Sequence, residues 1–123
     1  MGMYTQLQMS FSLKEETPKL IVRRLNGMIY EHKYDGWKKP YERLNWCLNS
    51  ASYYFDDITS SSIKYDSDQY RVNILCDFKN YNDEIGKFIT WIMPYIDAEK
   101  GRMIGYYRYE EDYKPTIIYK EEE

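Results

Sequence analysis

Apolar and polar positions alternate over the first thirteen residues. Met3, Thr5, Leu7, Met9, Phe11 and Leu13 fall on one side, and Tyr4, Gln6, Gln8, Ser10 and Ser12 on the other. A period of two predicts a half-buried strand. Glu15-Glu16-Thr17-Pro18 breaks the pattern, with Thr17 suited to cap a helix and Pro18 to its first position. Leu20, Ile21, Leu25 and Met28 follow at helical spacing and predict a helix over about 18–29, its last turn weakened by Gly27. Residues 30–43 show no period and contain Gly36 and Pro40. A loop this long in a compact domain is either functional or poorly ordered.

From Leu44 to Phe55 the aromatic pattern predicts a strand over about 45–55. Asp56–Ser62 turns the chain, residues 61–66 extend, and Asp66-Ser67-Asp68 has tight-turn composition. Tyr70, Val72, Ile74, Cys76 and Phe78 then alternate against Arg71, Asn73, Leu75, Asp77 and Lys79, a second clear strand. Ile85, Phe88, Ile89, Ile92 and Ile96 form an apolar helical stripe, with Asn82 as its expected cap and Pro94 as its expected end. Met103–Glu110 and Thr116–Lys120 read as a closing hairpin around Glu111–Pro115.

The chain echoes itself. Phe11–Lys14 and Cys76–Lys79 are each a strand end closing on lysine, followed by a polar turn and a helix. In each, the first helical apolar residue, Leu20 or Ile85, comes six places after the lysine. Two βα units with antiparallel strands between and after them predict an α+β fold. The expected architecture is an antiparallel sheet of about five or six strands with two helices on one face, ferredoxin-like or a related split-βαβ arrangement. A chain of 123 residues fits one domain, spanning 1–123 with a frayed acidic tail at 121–123.

Composition adds one anomaly. There are 15 tyrosines against four phenylalanines, so much of the aromatic bulk carries a hydroxyl that needs water or a partner. Some of these rings must help build the core, and others stand at its edge, a surface favoured in interfaces and base-stacking sites. The net charge of −3 is local. Residues 108–123 hold three cations and six anions, which leaves residues 1–107 neutral. With no dominant basic face, general nucleic-acid binding is not expected, because phosphate neutralisation supplies most of that affinity.

No apolar run suggests a signal peptide or a membrane span, and Cys47 and Cys76 lack CxxC spacing, so the expected setting is cytoplasmic with reduced thiols. His32 is the lone histidine, in the loop and without ligand spacing, so no metal site is expected. The dispersed glycines form no phosphate-cradling motif, and no cofactor is expected. No catalytic residue set emerges, and the expectation is a protein that is not an enzyme.

The candidate binding residues are Tyr106, Tyr107, Arg108, Tyr109, Glu110, Glu111, Asp112 and Tyr113, with Tyr53, Tyr54 and Trp37 elsewhere. In a strand, Tyr107 and Tyr109 share one face while Tyr106 and Arg108 share the other. Aromatic platforms beside charge can stack a base, grip a partner protein or imitate nucleic acid. The structural alternative is that one face packs on the helices and the other covers the sheet. The carboxylates Glu110-Glu111-Asp112 read as a solvated hairpin tip in preference to acid–base machinery.

Ser52-Tyr53-Tyr54-Phe55, Lys79-Asn80-Tyr81, Trp91-Ile92-Met93-Pro94-Tyr95-Ile96 and Gly105-Tyr106-Tyr107-Arg108-Tyr109-Glu110-Glu111-Asp112 with Pro115-Thr116-Ile117-Ile118-Tyr119 carry a resemblance. Over the C-terminal two-thirds, the chain resembles a group of uncharacterised small proteins from bacteria, prophages and mobile elements. That resemblance implies context alone: a cytoplasmic accessory protein. The leading expectation is a counter-defence inhibitor that occupies a host protein's surface through tyrosines and carboxylates. The alternative is a sponge that sequesters a nucleotide-like signalling molecule between stacked tyrosines. No membrane partner is expected, and the oligomeric state is open.

Overall fold

The computed structural model describes residues 4–31, 33–52, 55 and 59–121. The first alternating segment forms β1 (Tyr4–Ser12), followed by α1 (Lys19–Tyr30) and a 3-10 helix (Glu42–Asn49). Then come β2 (Ser62–Asp66), β3 (Gln69–Lys79), α2 (Glu84–Ile92), a 3-10 turn (Met93–Tyr95), β4 (Met103–Tyr109) and β5 (Thr116–Tyr119). All strand pairs are antiparallel, in the order β2-β3-β1-β4-β5. The fold is therefore α+β. The first four strands carry the split-βαβ order, and β5 extends the sheet beyond β4.

Register follows the alternation. Leu7 lies opposite Cys76, Met9 opposite Ile74 and Phe11 opposite Val72. These residues share the face on which Leu25, Met28, Leu44, Leu48, Ile85 and Phe88 pack, forming one continuous core. Each such burial contributes about 1.5–3 kcal/mol. Ser67 and Asp68 both take positive φ (54° and 67°) in the two-residue β2–β3 turn, whose twist matches that of the strands.

The strand expected over 45–55 does not form. Leu44, Asn45, Cys47 and Leu48 are buried while Trp46 and Asn49 are exposed, a helical spacing that β-favouring residue types concealed. The caps also differ. Helix α1 begins at Lys19 with Pro18 as its cap residue, and the Thr17 hydroxyl instead donates to the Lys14 carbonyl at 2.7 Å. Leu20 points to solvent, and Ile21 and Leu25 do the packing. In α2 the cap is Asp83, not Asn82: its carboxylate accepts the Gly86 N–H at 3.3 Å. The chain leaves α2 as Pro94 demands, and Ile96 bridges Leu13 in place of extending the stripe.

Gly27 does more than weaken α1. A Cβ there would lie 2.3 Å from the Tyr34 ring, so its absence seats the following loop. Asn45 fixes that loop by accepting the Trp37 backbone N–H (2.7 Å) and donating to the Trp37 carbonyl (2.9 Å). Arg43, at the end of this segment, is structural. Arg43 pairs with buried Glu84 at 2.9 Å, donates to the Lys79 carbonyl and stacks on Phe78 and Tyr81. His32 and Glu122–Glu123 of the tail lie outside the described residues.

Candidate functional site

Alternation along β4 divides the tyrosine run between two faces. Tyr107 and Tyr109 pair with Leu7 and Thr5 and point to the helix-bearing face, whereas Tyr106 and Arg108 pair with Gln8 and Gln6 on the other. On that second face Asp77, Gln6 and Arg108 form a row across three strands. Phe55 closes over it, with the Arg108 guanidinium 4.7 Å from the ring centroid. Asp77 and Gln6 are buried there, and the Ser52 hydroxyl reaches Asp77 Oδ2 at 3.4 Å. Arg108 is thus committed to packing.

Two of the three turn carboxylates also fasten structure. The Glu110 carboxylate accepts the Tyr4 N–H, while its own N–H donates to the Tyr4 carbonyl at 3.0 Å. Asp112 accepts the Tyr109 N–H at 3.2 Å and returns its own N–H to the Tyr109 carbonyl at 2.9 Å. Glu111 and Tyr113 project into solvent. Partial desolvation of the ring, followed by Glu111, Glu110 and Asp112, raises the Tyr109 phenol above its ordinary value. Among the binding candidates, Tyr53 and Tyr54 lie outside the described residues. Trp37 does not join the hairpin: it packs in the helical layer against Trp91.

Where β4 and β5 extend past α2, the helix-bearing face opens. Thr5, Asn80, Tyr81, Tyr107 and Tyr109 line a recess of about 380 Å³. Asn80 and Tyr107 also line a cleft of about 410 Å³ between α2 and β5, so the two adjoin. The cleft has Ile85, Ile89, Met93 and Ile118 along its walls and the carboxylates Asp83 and Glu121 at its rim, and among the described residues no cation lines it. Aliphatic walls beside fixed negative charge suit a partly apolar, partly basic occupant.

A second hollow of about 450 Å³ lies on the other side of α2, between Trp37, Tyr41, Trp91 and Lys87. The Trp37 and Trp91 rings meet edge to face at 5.1 Å, and Arg24 covers the Trp37 ring at 4.5 Å. Trp91 and Tyr41 were absent from the sequence-derived set. Trp91 stands three residues after Phe88, inside the apolar helical pattern, which was the available signal.

Among the described residues, no group of three or more His, Cys, Asp or Glu side chains is placed to hold a metal ion. No described helix is long and apolar enough to cross a membrane. Cys47 and Cys76 are both buried. Burial, reinforced by Glu84 and opposed by Arg43, pushes the Cys47 thiol far up, so it is a core group and not a nucleophile.

Comparison with protein-family models, curated proteins and solved structures finds no match to this chain.

Proposed function

We propose that this domain is a non-enzymatic binding module that captures a partner protein on its β4–β5 side. The observation that carries the reading is the adjoining recess and cleft, where Tyr81, Tyr107 and Tyr109 stand beside an aliphatic trough with a carboxylate rim. Tyrosine supplies large contact area with few rotors to immobilise, and such residues recur at binding hot spots. An accessory role, with the module blocking a host protein's surface, draws its support from the resemblance to small proteins of prophages and mobile elements. Intact tagged protein should retain a stoichiometric partner from host lysate. Tyr109→Ala and Glu111→Lys should each lose that partner while keeping the parent melting temperature. Variants that retain it undiminished would contradict the reading.

A nucleotide-like ligand is the second reading, and the aromatic hollow favours it over the hairpin. Trp37, Tyr41 and Trp91 stand together beside Lys87 and Arg24, a combination that suits a planar anion. Of the β4 tyrosines, by contrast, Tyr106 lies on the face opposite Tyr107 and Tyr109, and no described cation lines the recess those two share. A thermal-shift screen with cyclic nucleotides and nucleotide sugars tests it. Stabilisation that disappears in Trp37→Ala supports the sponge, and no shift with any nucleotide removes it.

A further inference from the structure

Resting on the reading of the β4–β5 side as a partner-binding surface, we propose that capture occurs by strand addition. An extended peptide segment pairs with the free edge of β5, and its alternate side chains enter the cleft against α2. The segment is aliphatic at those alternate positions and carries lysine or arginine.

The backbone supplies the first argument. Lys120 donates its N–H to the Arg102 carbonyl and accepts the Gly101 N–H, so its peptide groups point toward β4. Strand alternation then turns Thr116 and Ile118 toward β4 and directs the N–H and C=O of Ile117 and Tyr119 outward. Among the described residues, nothing bonds those outward groups. The edge segment Thr-Ile-Ile-Tyr is rich in β-branched and aromatic residues and has no charge within it, the composition that accepts a further strand.

The far edge shows what a closed one looks like in the same molecule. On β2 the Tyr30 hydroxyl accepts the Ile63 N–H (3.0 Å) and donates to the Ile63 carbonyl (3.1 Å), while Lys64 and Asp66 charge that strand. Beyond β2, Ser60 and Ser50 continue the pairing along β3 by bonding Leu75 and Asp77. On β2 a side chain occupies the outward groups of Ile63, though not those of Tyr65, whereas on β5 no described residue occupies those of Ile117 or Tyr119.

The cleft selects the occupant. A strand laid on β5 places every second side chain, about 6.6–6.8 Å apart, over the trough of Ile85, Ile89 and Ile118. Asp83 and Glu121 meet no cation in the cleft lining, so a basic residue of the guest completes their charge. Edge pairing gives affinity through main-chain bonds, and the trough gives specificity through side chains.

The test is selection of displayed random twelve-residue peptides on the intact protein. The result expected is a consensus alternating Val, Ile or Leu with Lys or Arg. The synthetic consensus peptide should slow amide exchange at Ile117 and Tyr119 at least tenfold, and methylating its alternate amide nitrogens should weaken binding at least tenfold. Ile117→Pro removes one outward donor without touching the β4 pairing and should weaken the same peptide comparably. Acidic or proline-rich consensus sequences, no enrichment, or binding indifferent to N-methylation would overturn strand addition. So would a concentration-dependent dimer protected at the same amides, since the occupant would then be a second copy. If lysate capture is lost in Tyr109→Ala yet persists in Ile117→Pro, strand addition fails and the protein-binding reading stands. If nothing is captured by the parent protein, it is that broader reading that fails.

Discussion

The two edges of this sheet are built from similar residues and differ in what meets their outward backbone groups. Strand β2 and strand β5 are both short, and both present an isoleucine and a tyrosine. On β2 the outward groups of Ile63 are consumed by the Tyr30 hydroxyl, delivered from the last residue of α1. On β5 the corresponding groups of Ile117 and Tyr119 face open space beside a trough. A sheet edge is a template for further pairing unless something covers or charges it. The difference lies in where helices end. Helix α1 terminates over β2, whereas α2 stands back from β5 and leaves a cleft.

The strongest way to break this contrast is to remove the wall of the cleft. Arg43→Met leaves the buried Glu84 carboxylate at the start of α2 without its cation. That should cost about 3–5 kcal/mol, read as a loss of urea midpoint at unchanged slope. An effect below 1 kcal/mol would mean that the pair does not hold α2 in place.

Next in size is Gly105→Ala. A Cβ at Gly105 would lie 2.1 Å from the Gln8 carbonyl oxygen, where β4 crosses β1 at the Met9–Gly105 pair. Forcing the strands apart should cost about 1–3 kcal/mol and speed exchange in β4 and β5 before β2. Uniform loosening of both edges would contradict the local origin.

Tyr30→Phe makes the closed edge resemble the open one. It should cost about 1–2 kcal/mol and accelerate exchange of the Ile63 amide, leaving β5 as it was. Cys47 provides a smaller, pH-dependent effect. Its folded thiol titrates far above the unfolded one, so this contribution is full below the ordinary thiol value of about 8.5 and is lost as pH rises beyond it. Cys47→Ala should flatten that alkaline decline in the melting temperature, and native Cys47 should resist alkylation until the chain unfolds. Smallest for stability is Tyr119→Lys, within about 0.5 kcal/mol, because the site is exposed. It nevertheless charges the edge and should abolish peptide pairing.

The strict alternation of β1 and β3 and the stripe of α2 made the fold legible, because a period of two or 3.6 reports directly on burial. Within the strand expected over 45–55, residues 45–49 are helical: Trp46 and the tyrosines after it favour strands, while burial of Leu44, Cys47 and Leu48 enforces a helix. The site was half legible. The β4 tyrosines announced a surface, but alternation sent Arg108 under Phe55, and Glu110 and Asp112 became fasteners of the turn. The open state of β5 was not readable at all. It depends on what Tyr30 and α2 cover, which is a property of tertiary placement and not of Thr116–Tyr119.

Amide hydrogen exchange of the free monomer measures directly whether β5 is an unfilled edge. An unfilled β5 gives a protected Ile63 amide, unprotected amides at Ile117 and Tyr119, and protection of those two when the consensus peptide is added. Protected Ile117 and Tyr119 amides in the free monomer would mean that the edge is already closed, and would contradict strand addition.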